Sequence, residues 1–335
     1  MILIDSLYIN ESGGLVLLKY LIDSLENSKG IQPHYLLDER VESEFKYLPK
    51  ERKTILFANQ INRYNFYKNC EAKFDKIFCF GNVPPIKKNS ATVYTYFHNI
   101  YLLSELRDIT FKNKLLIAAK TKYIKFLKNN TDFWIVQTDN TKNALIKKYV
   151  EKESKVLILP FYKIESIKLD IKCIRNDYIY VAIYQKPKNH FKLIKAWSLL
   201  YDLGYSLTLH LTLPKMPEEL TKQIDDCISR GMKIVNHGFV SKTELGKLYS
   251  ISKVTIYPSI NESLGLGIIE ALNSDCDLIG ADLPYTHSIS NPSAVFNPFD
   301  IDSIVSSVIL YESGTCPKSK LKICNEIDKL LSLFR

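Results

Sequence analysis

Short apolar runs alternate with stretches of helical periodicity along the whole chain, and few architectures accommodate that alternation. Runs at Ile2–Leu7, His34–Leu37, Thr54–Ala58, Lys76–Phe80, Thr92–Phe97, Phe133–Gln137 and Val156–Pro160 read as strands. A second series opens at Tyr178–Ile183 and continues through Ser206–Thr212, Lys233–Asn236, Val254–Pro258, Leu278–Gly280 and Ala294–Asn297. Strands alternating with helices pair in parallel, with helices on both faces of the sheet. Two series predict two doubly wound, Rossmann-like α/β domains facing a cleft, with ligands gathering outside the carboxyl ends of the strands. The charged, weakly periodic segment Tyr162–Asp177 is the best linker between them. The expected division is a first domain over 1–165, a second over 166–317, and a terminal helix over 318–335 with an apolar stripe through Leu321, Ile327, Leu330, Leu331 and Phe334.

A chain of 335 residues is long enough for two such domains, and 46% apolar with 24% charged residues describes a soluble globular protein. No apolar run approaches the roughly 18 residues that span a bilayer, and Met1–Asp5 lacks a basic leader, so a cytoplasmic location is expected. Seven scattered cysteines include no Cys-x-x-Cys pair, which indicates neither a disulfide framework nor a zinc site; they read as reduced bystanders. The net charge of +9 is uneven: residues 1–165 hold 26 basic against 18 acidic side chains, and residues 166–335 hold 19 against 18. Six of those lysines fall in 111–128, a stretch without an acid (Lys112, Lys114, Lys120, Lys122, Lys125 and Lys128). Lysine beside leucine and aromatics at helical spacing suits a helix lying on anionic lipid. It equally suits a surface helix with a solvated lysine face. No basic-aromatic motif or zinc-finger spacing points to nucleic acid.

The densest chemistry lies in Glu262-Ser263-Leu264-Gly265-Leu266-Gly267-Ile268-Ile269-Glu270, between the strand-like Val254–Pro258 and a helical continuation at Ala271-Leu272. Two of only twelve glycines occur here, where missing side chains let an anion approach backbone N–H groups at the positive end of a helix. In one continuous helix the two carboxylates would stand roughly 12 Å apart along the axis. That is too far to share a proton, and suits gripping different parts of one long ligand.

The string Ser259-x-x-Glu262-Ser263-x-Gly265-x-x-x-x-Glu270-Ala271 resembles the Glu-x7-Glu signature of family-4 glycosyltransferases, retaining enzymes of GT-B fold that use nucleotide-sugar donors. The resemblance implies that Glu262 contacts the transferred sugar, that backbone amides across Ser263, Leu264, Gly265 and Leu266 hold the diphosphate, and that Glu270 binds the ribose hydroxyls. Tyr178–Ile183 followed by Lys186-Pro187-Lys188-Asn189 is similar to the family's first strand-loop-helix of the donor domain, and Lys188 matches the lysine that reaches the diphosphate. Such a lysine stabilises charge as the glycosidic bond breaks. The family usually has an Arg shortly before it; none stands here, and Lys186, the nearest substitute, does not reproduce a bidentate guanidinium. Lys233–Ser241 leads into a helix through the capping box Ser241/Glu244, and resembles the base-binding wall, with backbone groups of Gly238, Phe239 and Val240 reading the nucleobase. His237 is read as packing. His98, at the end of Val93–Phe97, matches a His-Asn that many relatives carry near the sugar and acceptor, where it hydrogen-bonds the sugar or manages a hydroxyl proton. Gly13-Gly14 supplies a tight loop whose amides face the diphosphate. In similar proteins the terminal helix packs back on the first domain.

Asp275-Cys276-Asp277 has the form of an Asp-x-Asp metal motif, but its place after the Glu270 helix reads as a solvated turn, so no metal or other cofactor is expected. The implied activity is transfer of a sugar from a nucleotide diphosphate to an acceptor hydroxyl. Its setting would be a saccharide or lipid-linked oligosaccharide in O-antigen or capsule assembly, at the inner face of the membrane. A sugar-nucleotide epimerase of the same fold, and a catalytically silent sugar-nucleotide or lipid-binding subunit, remain as alternatives.

Overall fold

The computed structural model describes residues 1–70, 73–87, 90–103, 111–150, 152–163 and 175–335, without the side chains of residues 12 and 111. Most of the expected linker and Cys173 lie outside these residues. The chain divides into two compact units, Met1–Lys163 with Cys324–Arg335, and Ile164–Ile323.

In the first unit, β1 (Ile2–Asp5), β2 (Pro33–Asp38), β3 (Lys53–Leu56), β4 (Lys76–Cys79), β5 (Thr92–Tyr96), β6 (Phe133–Val136) and β7 (Val156–Ile158) form one parallel sheet in the order 3-2-1-4-5-6-7. Alternate residues serve opposite faces. Leu3, Ile77, Cys79 and Val93 pack with Phe66 and Tyr67 of α2 (Gln60–Asn69), while Phe97, Trp134 and Val136 pack with α3 (Phe111–Leu127) and α4 (Asp139–Lys148). The other face meets α1 (Ser12–Glu26) and α11 (Ile327–Ser332), whose neighbour Phe334 packs against Phe78 in a tilted pair with ring centroids 5.1 Å apart. The expected helix over 318–335 is thus reduced to a short one. Lys320–Leu321 instead pairs antiparallel with Ser290–Asn291, and Asn325 accepts from the backbone N–H of Ile327 to start the helix.

In the second unit, β8 (Asp177–Tyr180), β9 (Leu209–Leu211), β10 (Ile234–Asn236), β11 (Ser252–Tyr257), β12 (Asp277–Ala281) and β14 (Ala294–Phe296) repeat the plan in the order 10-9-8-11-12-14, with Ser290–Asn291 as β13 and Lys320–Leu321 as β15. One face carries α5 (His190–Asp202), α6 (Glu218–Ser229) and α10 (Ile301–Glu312), the other α7 (Lys242–Ile251) and α8 (Leu266–Asn273), and α9 (Pro284–Ile289) follows β12. Strand order reverses between β1 and β4 in one sheet and between β8 and β11 in the other. The loops leaving those strands diverge to opposite faces and leave a crevice at the carboxyl edge.

A buried ion pair marks the first reversal. Asp5, ending β1, receives Arg63 Nε at 2.9 Å and Tyr67 Oη at 2.7 Å, and Arg63 also donates to the carbonyls of Val83 and Pro84 at 2.9 and 3.0 Å. Both charged side chains are almost fully buried. Removing one member leaves an uncompensated buried charge, which costs about 3–5 kcal/mol. Arg63→Met should therefore lower the unfolding free energy by that order in urea titrations, and Asp5→Asn in the same chain should recover a large part of the loss.

Candidate functional site

The second reversal brings together residues that are far apart in sequence. Lys186–Lys188 forms a 3₁₀ turn after β8, ended by Asn189 in the left-handed conformation (φ 61°), which Asn and Gly tolerate best. Asn189 Nδ2 donates to Pro298 O at 2.7 Å and fixes where α5 begins. The loop after β11 is tied to this turn by Ile260 N, which donates to Pro187 O at 2.8 Å, and it is braced from elsewhere by Tyr285 Oη, which donates to Ser259 O at 2.6 Å. Consequently Lys188 Nζ forms an ion pair with Glu262 Oε1, the two side chains being 18% and 11% exposed. Tyr257 Oη also donates to Glu262 Oε1, at 3.1 Å. Burial, reinforced by the Glu262 charge, raises the phenols of Tyr180, Tyr257 and Tyr285 well above their usual range, so the carboxylate sits among neutral aromatic hydroxyls.

Glu262 lies in the turn ahead of α8, not inside it. Gly265 occupies the N-cap with φ 63° and offers no side-chain cap to the first turn. A Cβ at Gly267 would stand 3.2 Å from both the Tyr257 ring and Val181 O, so the helix start packs closely against the ends of β8 and β11. Ser263 and Leu266 are partly exposed, whereas Leu264 is buried. Glu270 is exposed on the second turn of α8, where its carboxylate meets Tyr249 Oη. The geometry thus separates the roles of the two acids: one is paired and enclosed, the other open to solvent.

Gly238 (φ 67°), the strongly exposed Phe239 and the partly buried Val240 follow β10 at the same sheet edge. Asn236, which the motif reading passed over, organises this corner. Its amide bridges Leu213 N and O at 2.9 and 3.1 Å, and its Oδ1 accepts from Gly238 N at 3.1 Å. The capping box of α7 is present on Ser241 and Glu244. His237 does more than pack, since it hydrogen-bonds His210 at 2.9 Å, and His210 contacts Asp177 at 3.1 Å. Lys186 is exposed on its turn. The Asp275–Asp277 segment is only partly the solvated turn expected: Asp275 turns with φ 63°, but Asp277 is buried and accepts from Tyr311 Oη and Ser319 N, both at 2.8 Å. It opens β12, at the opposite edge from Glu262. Among the described residues no cluster of three or more His, Cys, Asp and Glu side chains is placed to hold a metal ion.

In the first unit, His98 lies beside Gly14: a Cβ on that glycine would be 3.7 Å from Nε2. Gly13 neighbours it in the first turn of α1, which no side chain caps. Tyr8 (φ 85°) and Asn82 (φ 67°) adopt strained left-handed backbones in the two loops of this reversal, and a Cβ at Gly81 would meet Leu7 O at 2.8 Å. A Gly-Asn pair directly after a strand was the available sequence signal for Asn82. A cavity of about 470 Å³ lined by Thr92, Asp132 and Phe133 is at the amino ends of β5 and β6, away from all of these groups.

Residues 161–321 match the family model for glycosyl transferases group 1. The chain is 27% identical over 165 residues to the serotype-specific mannosyltransferase WbdA of Escherichia coli, covering 48% of this chain and 20% of that protein. It is 25% identical over 252 residues to the O-antigen chain mannosyltransferase RfbU of Salmonella typhimurium, covering 64% and 69%. The chain therefore spans about a fifth of the length of the former. Its fold matches that of the lipopolysaccharide outer core galactosyltransferase WaaB with a TM-score of 0.67 at 14% identity, over 94% of this chain and 91% of that one. Two doubly wound units with this neighbour define the GT-B fold. Within it, the match to glycosyl transferases group 1 falls on the second unit and takes in just under half of the chain.

Burial pushes both His98 and His190 down to about 4, and the Lys188 charge adds to the effect on His190. Both rings are neutral when folded, whereas an unfolded histidine titrates near 6.5. Their contribution is thus complete above about pH 6.5 and is lost as pH falls toward 4, by up to about 3 kcal/mol per ring. His190 packs against Tyr180 in a tilted pair with centroids 4.9 Å apart. His190→Phe should therefore fold and lose part of the stability difference between pH 7 and pH 4.5 measured by urea unfolding.

Proposed function

We propose that this protein is a retaining glycosyltransferase that moves a sugar from a nucleotide-diphosphate donor to an acceptor hydroxyl. The observation that carries this reading is the Lys188–Glu262 pair beside the uncapped first turn of α8. A cation, helix N–H groups and an enclosed carboxylate together match a sugar diphosphate, whose phosphates need positive charge and whose sugar offers hydroxyl donors. The names of WbdA and RfbU support the same chemistry. Lys188 stabilises the leaving diphosphate, seconded by Lys186, and the amides across Ser263, Leu264, Gly265 and Leu266 receive its oxygens. Glu262 accepts from the transferred sugar, Glu270 from the ribose, and the backbone of Gly238, Phe239 and Val240 lines the base. In the first unit, the amides of Gly13 and Gly14 attract phosphate and His98 meets a saccharide hydroxyl. Attack proceeds on the face that the leaving group departs from, with the leaving phosphate taking the acceptor proton, and no metal is required.

Glu262→Gln and Glu270→Gln should each slow transfer by about 10- to 100-fold, since a hydrogen bond to a charged group contributes about 1.5–3 kcal/mol. Transfer should persist in EDTA with the donor's anomeric configuration preserved in the product. Unchanged turnover in both variants, or epimerised donor formed without acceptor, would reject the assignment.

The acceptor in this reading is a lipid-linked saccharide of surface-polysaccharide assembly, met at the inner face of the membrane. Its support is α3, which buries Ile124 and Leu127 on one side yet exposes Leu115, Leu116 and Phe126, the last 81% exposed, among Lys112, Lys114, Lys120, Lys122 and Lys125. A solvated lysine face does not need that second apolar stripe, whereas an interfacial helix uses both. No described helix is long and apolar enough to cross a membrane. Each lysine near an anionic surface contributes about 1 kcal/mol, screened over roughly 10 Å at 0.1 M salt. Sedimentation with phosphatidylserine vesicles should fall steeply with salt and weaken in a Lys120, Lys122, Lys125→Gln triple variant, while transfer to a short water-soluble acceptor is retained. Equal sedimentation of wild type and variant at low salt would remove α3 as the docking surface.

A further inference from the structure

We infer that Asn82 is a positioning residue that fixes the His98 ring with its proton on Nδ1 and its lone pair on Nε2. Asn82 Oδ1 accepts from two backbone groups, His98 N at 2.7 Å and Asn99 N at 2.8 Å. Both are obligate donors, so the orientation of the amide follows from them. Its Nδ2 is then the atom that faces His98 Nε2, at 3.4 Å. An amide nitrogen only donates, and Nε2 has to accept. A neutral ring carries one proton, which leaves it on Nδ1.

That Nδ1–H is buried and has no partner among the described residues. The Phe80 and Tyr96 rings flank the imidazole at 5.4 and 5.1 Å and offer it no charge; burial alone accounts for its low basicity. A buried donor left unpaired costs about 1–3 kcal/mol, and the natural acceptor is an oxygen that arrives with a ligand. If the transferase reading above holds, that oxygen belongs to a saccharide hydroxyl, since a neutral donor suits a neutral hydroxyl better than a phosphate. The sequence context fits the role. The left-handed backbone at Asn82 is one that Asn adopts more readily than most residues, and Gly81 before it admits no Cβ against Leu7 O.

Imidazole ¹⁵N resonances of the whole ligand-free chain test this directly, with His98 assigned by difference from His98→Gln. The expected spectrum at pH 7 has the proton on Nδ1. Asn82→Asp keeps the acceptor for both backbone groups and the tolerance for a left-handed backbone, but presents a carboxylate oxygen to Nε2. The proton should then move to Nε2, and the ring's titration should rise from about 4 into the range of about 5–7. Asn82→Gly, which keeps the backbone and deletes the amide, should give a mixture of tautomers. A wild-type ring protonated on Nε2, or an unchanged tautomer in either variant, would overturn the inference. No donor or acceptor is present in these measurements, so failure of the transferase reading leaves the outcome unaffected.

Discussion

Parallel pairing of β8 with β11 is the constraint on which the candidate site depends. The two strands are adjacent in the sheet though the residues they deliver, Lys188 and Glu262, lie 74 positions apart. Because β9 and β10 extend the sheet on one side of β8 while β12 and β14 extend it on the other, the connections after β8 and β11 depart to opposite faces. A backbone bond from Ile260 in the β11 loop to Pro187 then closes the corner and holds the lysine against the carboxylate. Shifting either strand by one residue would send these loops' side chains to the wrong face.

The surroundings of that pair are aromatic. Tyr180, Tyr257 and Tyr285 keep their protons because ionising a phenol beside Glu262 in a buried site is unfavourable. Hydroxyls so held are fixed dipoles: Tyr257 supports Glu262 directly, and Tyr180 donates to Lys188 O at 2.9 Å. Fixed dipoles of this kind lower the reorganisation that binding or catalysis would require.

The corresponding edge of the first unit is built on different physics. Here the charges, Asp5 and Arg63, are satisfied internally and hold the loop carbonyls of Val83 and Pro84. What remains near Gly14 is neutral: an imidazole, an Asn amide, and strained backbone at Tyr8 and Asn82. Strain of that kind persists only where the surrounding structure over-determines it. The Arg63 network supplies the determination by holding the carbonyls that follow Asn82.

The sequence by itself determined the class of architecture and most of the strands, because apolar runs separated by helical stretches have few ways to bury both faces. It also marked Glu262, Gly265 and Glu270 through their spacing, and the α7 capping box through a local rule that needs no tertiary partner. Tertiary structure decided the rest. The spacing of one continuous helix does not describe Glu262, since the left-handed Gly265 starts α8 only at Leu266. Leu321 left the terminal helix because its backbone found a strand partner at Ser290. Asp277 is buried by Tyr311 and Ser319, residues more than 30 positions away. Asn82 and Asn236 carried little local signal, because an amide becomes a bridge only when two chain segments reach it from different strands. Side-chain type is written in the sequence, but the partner that gives a polar group its orientation and protonation is supplied by the fold.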